Sequence, residues 1–154
     1  MKTLIAVLAL VLAAPAAFAQ EAPRQLGVGV VLGTPFGVTA KYNVNELVSA
    51  DLALGAQGSN FDTNFDALLN LRNFQYQPPK GRVTPYLGVG MKIEDQDETL
   101  WGIRFVAGAS YKLPSAPLEL FAEVAPVLRA EPSVGGNFDG GVGARWYFDL
   151  TPAR

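Results

Sequence analysis

The chain has 154 residues, 49% of them hydrophobic, with 14 acidic against 12 basic side chains and a formal net charge of −2. It contains neither histidine nor cysteine, which excludes Ser-His-Asp and Cys-His catalysis, imidazole- or thiolate-ligated zinc and any disulfide framework. The slightly acidic balance argues against a nucleic-acid partner, which would want a basic face.

Met1 to Ala19 has the three parts of a secretory signal. Lys2 supplies the positive start, Leu4 to Leu12 form an apolar run too short to span a bilayer as a helix, and Ala17-Phe18-Ala19 is an A-x-A cleavage site. Residues 20–154 are then read as one exported domain with one core. No cysteine follows the signal, so a lipidated Cys anchor is not expected. Nor does any later segment approach the roughly eighteen uninterrupted apolar residues of a membrane-spanning helix.

The domain opens at Gln25 to Tyr42, QLGVGVVLGTPFGVTAKY. Gly27, Gly29 and Gly33 sit close to the glycine spacing of a phosphate loop, but that loop needs a helix after it. Here Thr34-Pro35-Phe36-Gly37 makes a tight turn into another alternating segment. The glycines share one parity, opposite Val28 and Val30, and so are expected to line a crowded face where only small residues fit.

The same alternation continues along the chain. Val38, Ala40, Tyr42 and Val44 oppose Thr39, Lys41 and Asn43, and Val48, Ala50, Leu52, Leu54 and Ala56 oppose Ser49, Asp51, Ala53, Gly55 and Gln57. From Asn64, Phe65, Ala67, Leu69 and Leu71 oppose Asp66, Leu68, Asn70 and Arg72; a slip near Asn73 predicts a bulge. Val83, Leu87, Val89, Met91 and Ile93 oppose Arg82, Thr84, Tyr86 and Lys92, with a distortion predicted at Pro85, which cannot donate to a ladder. Trp101 to Tyr111, Leu118 to Val124 and Val142 to Leu150 complete the set. Eight antiparallel strands result.

Asn43 to Glu46, Gln77 to Gly81 and Leu113 to Pro117 read as compact turns. Gly58 to Thr63, Asp95 to Glu98 and Glu131 to Asn137 read as longer polar loops. An even strand number with short turns on one side is the pattern of an all-β, antiparallel, eight-stranded up-and-down transmembrane β-barrel.

A soluble sandwich also alternates, so the polar parity has to separate the two. A water-facing parity should be crowded with free Lys and Glu. Here it is mostly Gly, Ser, Thr, Ala and Asn, with charges of both signs placed singly: Lys41, Asp51, Asp66, Arg72, Arg104, Glu119, Glu123 and Arg145. Such a set suits a narrow interior where acids and bases must pair. Tyr42, Tyr76, Trp101, Tyr111, Trp146 and Phe148 are the candidate membrane-interface aromatics.

On these residues the chain resembles small bacterial outer-membrane barrels. The run Gly27-x-Gly29-x-x-x-Gly33-x-Pro35-x-Gly37-x-x-x-Lys41-Tyr42 is similar to the opening hairpin of small exported barrels, and Gly140 to Phe148, GGVGARWYF, to the closing strand of OmpA/OmpX-type barrels. In that family the final aromatic serves as an assembly signal and is usually the last residue; here Asp149 to Arg154 follow it. The resemblance implies a fold and a location in a Gram-negative outer membrane, with outer-membrane lipid, lipopolysaccharide and the assembly machinery as partners. It implies no catalytic residue.

The expected role is therefore that of a small non-enzymatic outer-membrane protein with a structural or surface-interaction function, without a cofactor. Lipid-A deacylases of similar size use a His and a Ser, and no His is present. Glu119 and Glu123 stand four residues apart, roughly 13 Å along a strand, beyond the ~5–9.5 Å of a glycosidase pair. Glu94 to Glu98 lacks the glycine and distal Glu of an EF-hand loop and reads as a solvated acidic loop. Porin-like conduction would need about twice the strands. The alternative is a soluble periplasmic barrel of lipocalin type, with its apolar parity turned inward onto an apolar ligand.

Overall fold

Two-residue alternation calls for paired strands, and a sheet closed on itself leaves no edge of unpaired backbone groups. The computed structural model describes residues 24–95, 99–131 and 134–150. The expected export signal, Met1–Ala19, lies outside the described residues. Within them run β1 (Gln25–Gly33), β2 (Phe36–Asn43), β3 (Val48–Gln57), β4 (Asn60–Asn70), β5 (Arg82–Asp95), β6 (Leu100–Lys112), β7 (Leu118–Glu131) and β8 (Gly135–Asp149). They pair in chain order and β8 closes on β1, every pair antiparallel. This is the eight-stranded up-and-down barrel.

The burial pattern gives the orientation of each parity. Thr39, Lys41, Ser49, Asp51, Asp62, Asn64 and Asp66 are buried, whereas Val28, Val30, Val38, Leu69, Phe105 and Val142 are exposed. The polar parity faces inward and the apolar parity forms the outer wall, which inverts a water-soluble barrel. A lipocalin-like interior would need Leu69 and Phe105 inside; both stand on the outer face. One wall of the interior, formed by β4 to β7, is apolar: Leu68, Tyr86, Val106 and Ala125 pack together there.

The connections explain both agreements and departures. The β2–β3 turn is compact because the Asn45 side chain accepts the backbone N–H groups of Leu47 and Val48, at 2.8 and 2.7 Å. The β3–β4 connection, expected as a polar loop from Gly58 to Thr63, is instead the two-residue turn Gly58-Ser59, with Gly58 at φ 65°. A left-handed first residue matches the twist of the flanking strands, and glycine reaches it at no steric cost. In consequence β4 starts at Asn60 and carries Asp62 inward.

Near Asn73 there is no bulge: β4 ends at Asn70 and Arg72–Phe74 forms a single 3-10 turn. Nor is β5 distorted at Pro85, which stays in register with Ala109. Its carbonyl accepts from Leu71 N at 2.8 Å, just past the end of β4, where no ladder calls for the missing N–H. The one register shift between β6 and β7 falls instead at Trp101/Gly102. At Gly29 the closing β1–β8 pair runs so close that an added Cβ would overlap the Ala144 carbonyl oxygen. Gly27 faces the Tyr147 ring in the same way.

Candidate functional site

Because β2, β3, β7 and β8 each present their charged residue on the inward parity, those charges meet across the barrel rather than along one strand. Arg145 on β8 is the centre of the first cluster. Its guanidinium donates to Asp51 on β3 at 2.5 Å, to Glu119 on β7 at 3.4 Å and to Thr39 on β2 at 2.9 and 3.2 Å. It also lies 3.7 Å from the centre of the Phe121 ring. The Thr39 hydroxyl passes a hydrogen bond on to Asp51 at 3.1 Å. Glu119 further accepts from the Tyr147 hydroxyl at 3.1 Å and stands 3.8 Å from Lys41 Nζ. Lys41 in turn lies 5.0 Å from the Tyr86 ring centre.

The second cluster stands deeper in the barrel. Arg104 on β6 contacts Asp66 on β4 at 3.1 Å, Glu123 on β7 at 3.1 Å and Asp139 on β8 at 3.6 Å. The Glu123 contact is a hydrogen bond; those to Asp66 and Asp139 are ion pairs without a hydrogen bond. Tyr86 donates its hydroxyl to Glu123 at 2.9 Å. Asp139 is shared with Lys92 on β5, at 3.0 Å, and Lys92 also reaches Asp62 at 2.7 Å and the Gln57 carbonyl at 2.8 Å. Lys41, Lys92, Arg104 and Arg145 are exposed by no more than 2%. A buried cation is tolerated only when nearby groups compensate its lost hydration. Lys92, Arg104 and Arg145 each have carboxylates and at least one hydrogen bond, and Lys41 has Glu119 and the Tyr86 ring.

Seven of the eight charges expected inside, Lys41, Asp51, Asp66, Arg104, Glu119, Glu123 and Arg145, face the interior. Arg72 does not join them. The 3-10 turn carries it past the strand to the rim, where it is half-exposed and pairs with Glu46 of the neighbouring turn. Lys92, placed on the polar parity but not among the expected interior charges, belongs to the network, as do Asp62 and Asp139, which the sequence reading did not place inside. Their signal was parity: Asp62 is in step with Asn64 and Asp66, and Asp139 with Arg145, once the strands are allowed to run to their full lengths. Glu119 and Glu123 are held by cations and tyrosines in separate clusters. Among the described residues no group of three metal-ligating side chains converges.

The six aromatics all face outward, at two heights. Tyr42 and Phe148 flank Leu26 on one side of the short-turn end, and Tyr76 and Tyr111 flank Val83 on the other. Trp146 stands just above the first row, across from Val28, and Trp101 stands at the far rim, opposite Ile93.

An up-and-down barrel of eight strands with a charged interior and an apolar outer wall is the architecture of OmpA-type barrels. In three dimensions the chain is similar to the N-terminal β-barrel domain of Pseudomonas aeruginosa OprF, with a TM-score of 0.59 and 16% sequence identity, over 84% of this chain and 98% of that one. At that identity the likeness is one of fold. No family model matches the chain, and no curated protein matches it in sequence.

Proposed function

We propose that this chain is an integral protein of a Gram-negative outer membrane whose role is structural or surface-interacting and not enzymatic. The observation that supports the reading is the inverted polarity: a closed wall of exposed Val, Leu, Ile and Phe around an interior of buried Lys, Arg, Asp and Glu. In water that arrangement exposes the apolar belt and buries charge at a cost on both faces; in a bilayer the belt meets acyl chains and the sheet has no edge left to satisfy. The outer wall takes lipid and lipopolysaccharide as its neighbours, and the aromatic rows lie at the two interfaces. The assembly machinery would engage the closing strand that ends in Trp146-Tyr147-Phe148. The side chains that bridge the interior leave its role to its surfaces rather than to transport.

Cell fractionation with unheated gel electrophoresis tests this. The chain should remain with the outer-membrane fraction after carbonate washing and should migrate differently with and without boiling. Release into the soluble fraction, with no heat-dependent shift, would overturn the reading.

A further inference from the structure

Beyond that role, one end of the barrel carries charge that the interior network leaves unmatched. Arg82 opens β5 and Lys112 closes β6, and the two are direct cross-strand partners on the inward parity. Both line two adjoining cavities of about 350 and 510 Å³ at the short-turn end, with Gln25 also common to the two. The other cations of this mouth are already matched: Lys41 by Glu119 and Arg72 by Glu46. Among the described residues no carboxylate oxygen lies within 4.0 Å of Arg82 or Lys112. The Lys112 ammonium instead lies 4.5 Å from the centre of the Tyr147 ring and 3.5 Å from the Gln25 carbonyl oxygen.

Like charges placed directly opposite on neighbouring strands repel, and Arg82 faces Lys112. Lys112 has Glu119 of β7 as its partner on the other side, in the lining of the smaller cavity, but that carboxylate is already engaged by Lys41, Arg145 and Tyr147. One step deeper, Thr84 and Ser110 form the next cross-strand pair and put two hydroxyls in the smaller of the two cavities, which Arg82 and Lys112 also line. Two cations and two hydroxyls offer more donors than the two oxygens of a carboxylate engage. They suit the three or more oxygens of a phosphate group. We infer that the short-turn mouth of the barrel binds a phosphate group between Arg82 and Lys112. The group reaches it either as free phosphate or a small phosphate ester, or as the headgroup of a phospholipid at the rim.

The experiment uses the full-length mature chain folded in uncharged detergent micelles, with backbone amides and arginine side chains followed by nuclear magnetic resonance at constant ionic strength. Inorganic phosphate is titrated in one arm and short-chain phosphatidic acid in the other. Saturable shifts centred on Arg82 and Lys112 are expected, weakened about tenfold or more in the R82Q/K112Q variant, since two charge-assisted hydrogen bonds are lost. That variant should fold, because it removes a repulsion; its heat-dependent gel mobility reports this independently. K80Q, which removes a cation on the adjoining exposed turn, should bind as the parent does. Saturation by inorganic phosphate supports a diffusible ligand, and saturation by the lipid alone supports a headgroup. Linear shifts in both arms, equal saturation in R82Q/K112Q, or an equal loss in K80Q would overturn the inference.

Discussion

At the scale of single residues, the interior is held by a few cations that each serve several carboxylates. Arg104 has Asp66, Glu123 and Asp139 around it. Arg104→Met would leave three carboxylates in the interior without their guanidinium, and removing one partner of a buried pair costs about 3–5 kcal/mol. Arg72→Met, by contrast, breaks an exposed pair at the rim and should cost about 1 kcal/mol or less. Urea midpoints of the two variants in lipid vesicles check the contrast. Equal midpoints would mean that the interior ion pairs carry no stability. Parity in the sequence was enough to place Lys41, Asp51, Arg104 and Arg145 inside. It was not enough to pair them, because parity says which side a residue faces and not at what height.

Height is decided at the scale of elements, where strand ends and turns set register. The sequence showed the core of every strand but ended several too early. The polar residues Asn60 and Asp62 resemble a loop when met one by one, and only a two-residue turn at Gly58-Ser59 turns them into the top of β4. At the other end of β4, residues beyond Asn70 kept an alternating look while the chain wound into a 3-10 turn, which took Arg72 out of the interior. Local polarity does not distinguish an inward-facing polar strand from a solvated loop. The outer parity was fully legible, since a run such as Trp101, Ile103 and Phe105 has no use in a water-facing strand. On the proposed membrane placement each such position meets lipid, so Phe105→Lys, near the middle of β6, should lower stability in vesicles by about 2–4 kcal/mol. An unchanged or raised stability, read from the same urea midpoints, would mean that β6 faces water.

The whole molecule is unequal around its circumference. β1 to β4 have 8 to 11 residues and β5 to β8 have 13 to 15, so the rim away from the short turns is taller on one side. Arg82 and Lys112 lie at the short-turn mouth, while the Lys92, Asp62 and Asp139 group lies toward the other end. A predominantly apolar outer wall, with aromatics at both of its ends, is the feature on which the proposed membrane placement depends. The chain has two tryptophans, Trp101 and Trp146, both on that wall and near opposite ends of the barrel. Their fluorescence in vesicles made with lipids brominated at chosen acyl positions is therefore the most direct test. A membrane-spanning barrel predicts that both are quenched, most strongly by bromines near the headgroups and less by bromines at the bilayer centre. Two tryptophans untouched by bromine at any depth would contradict it.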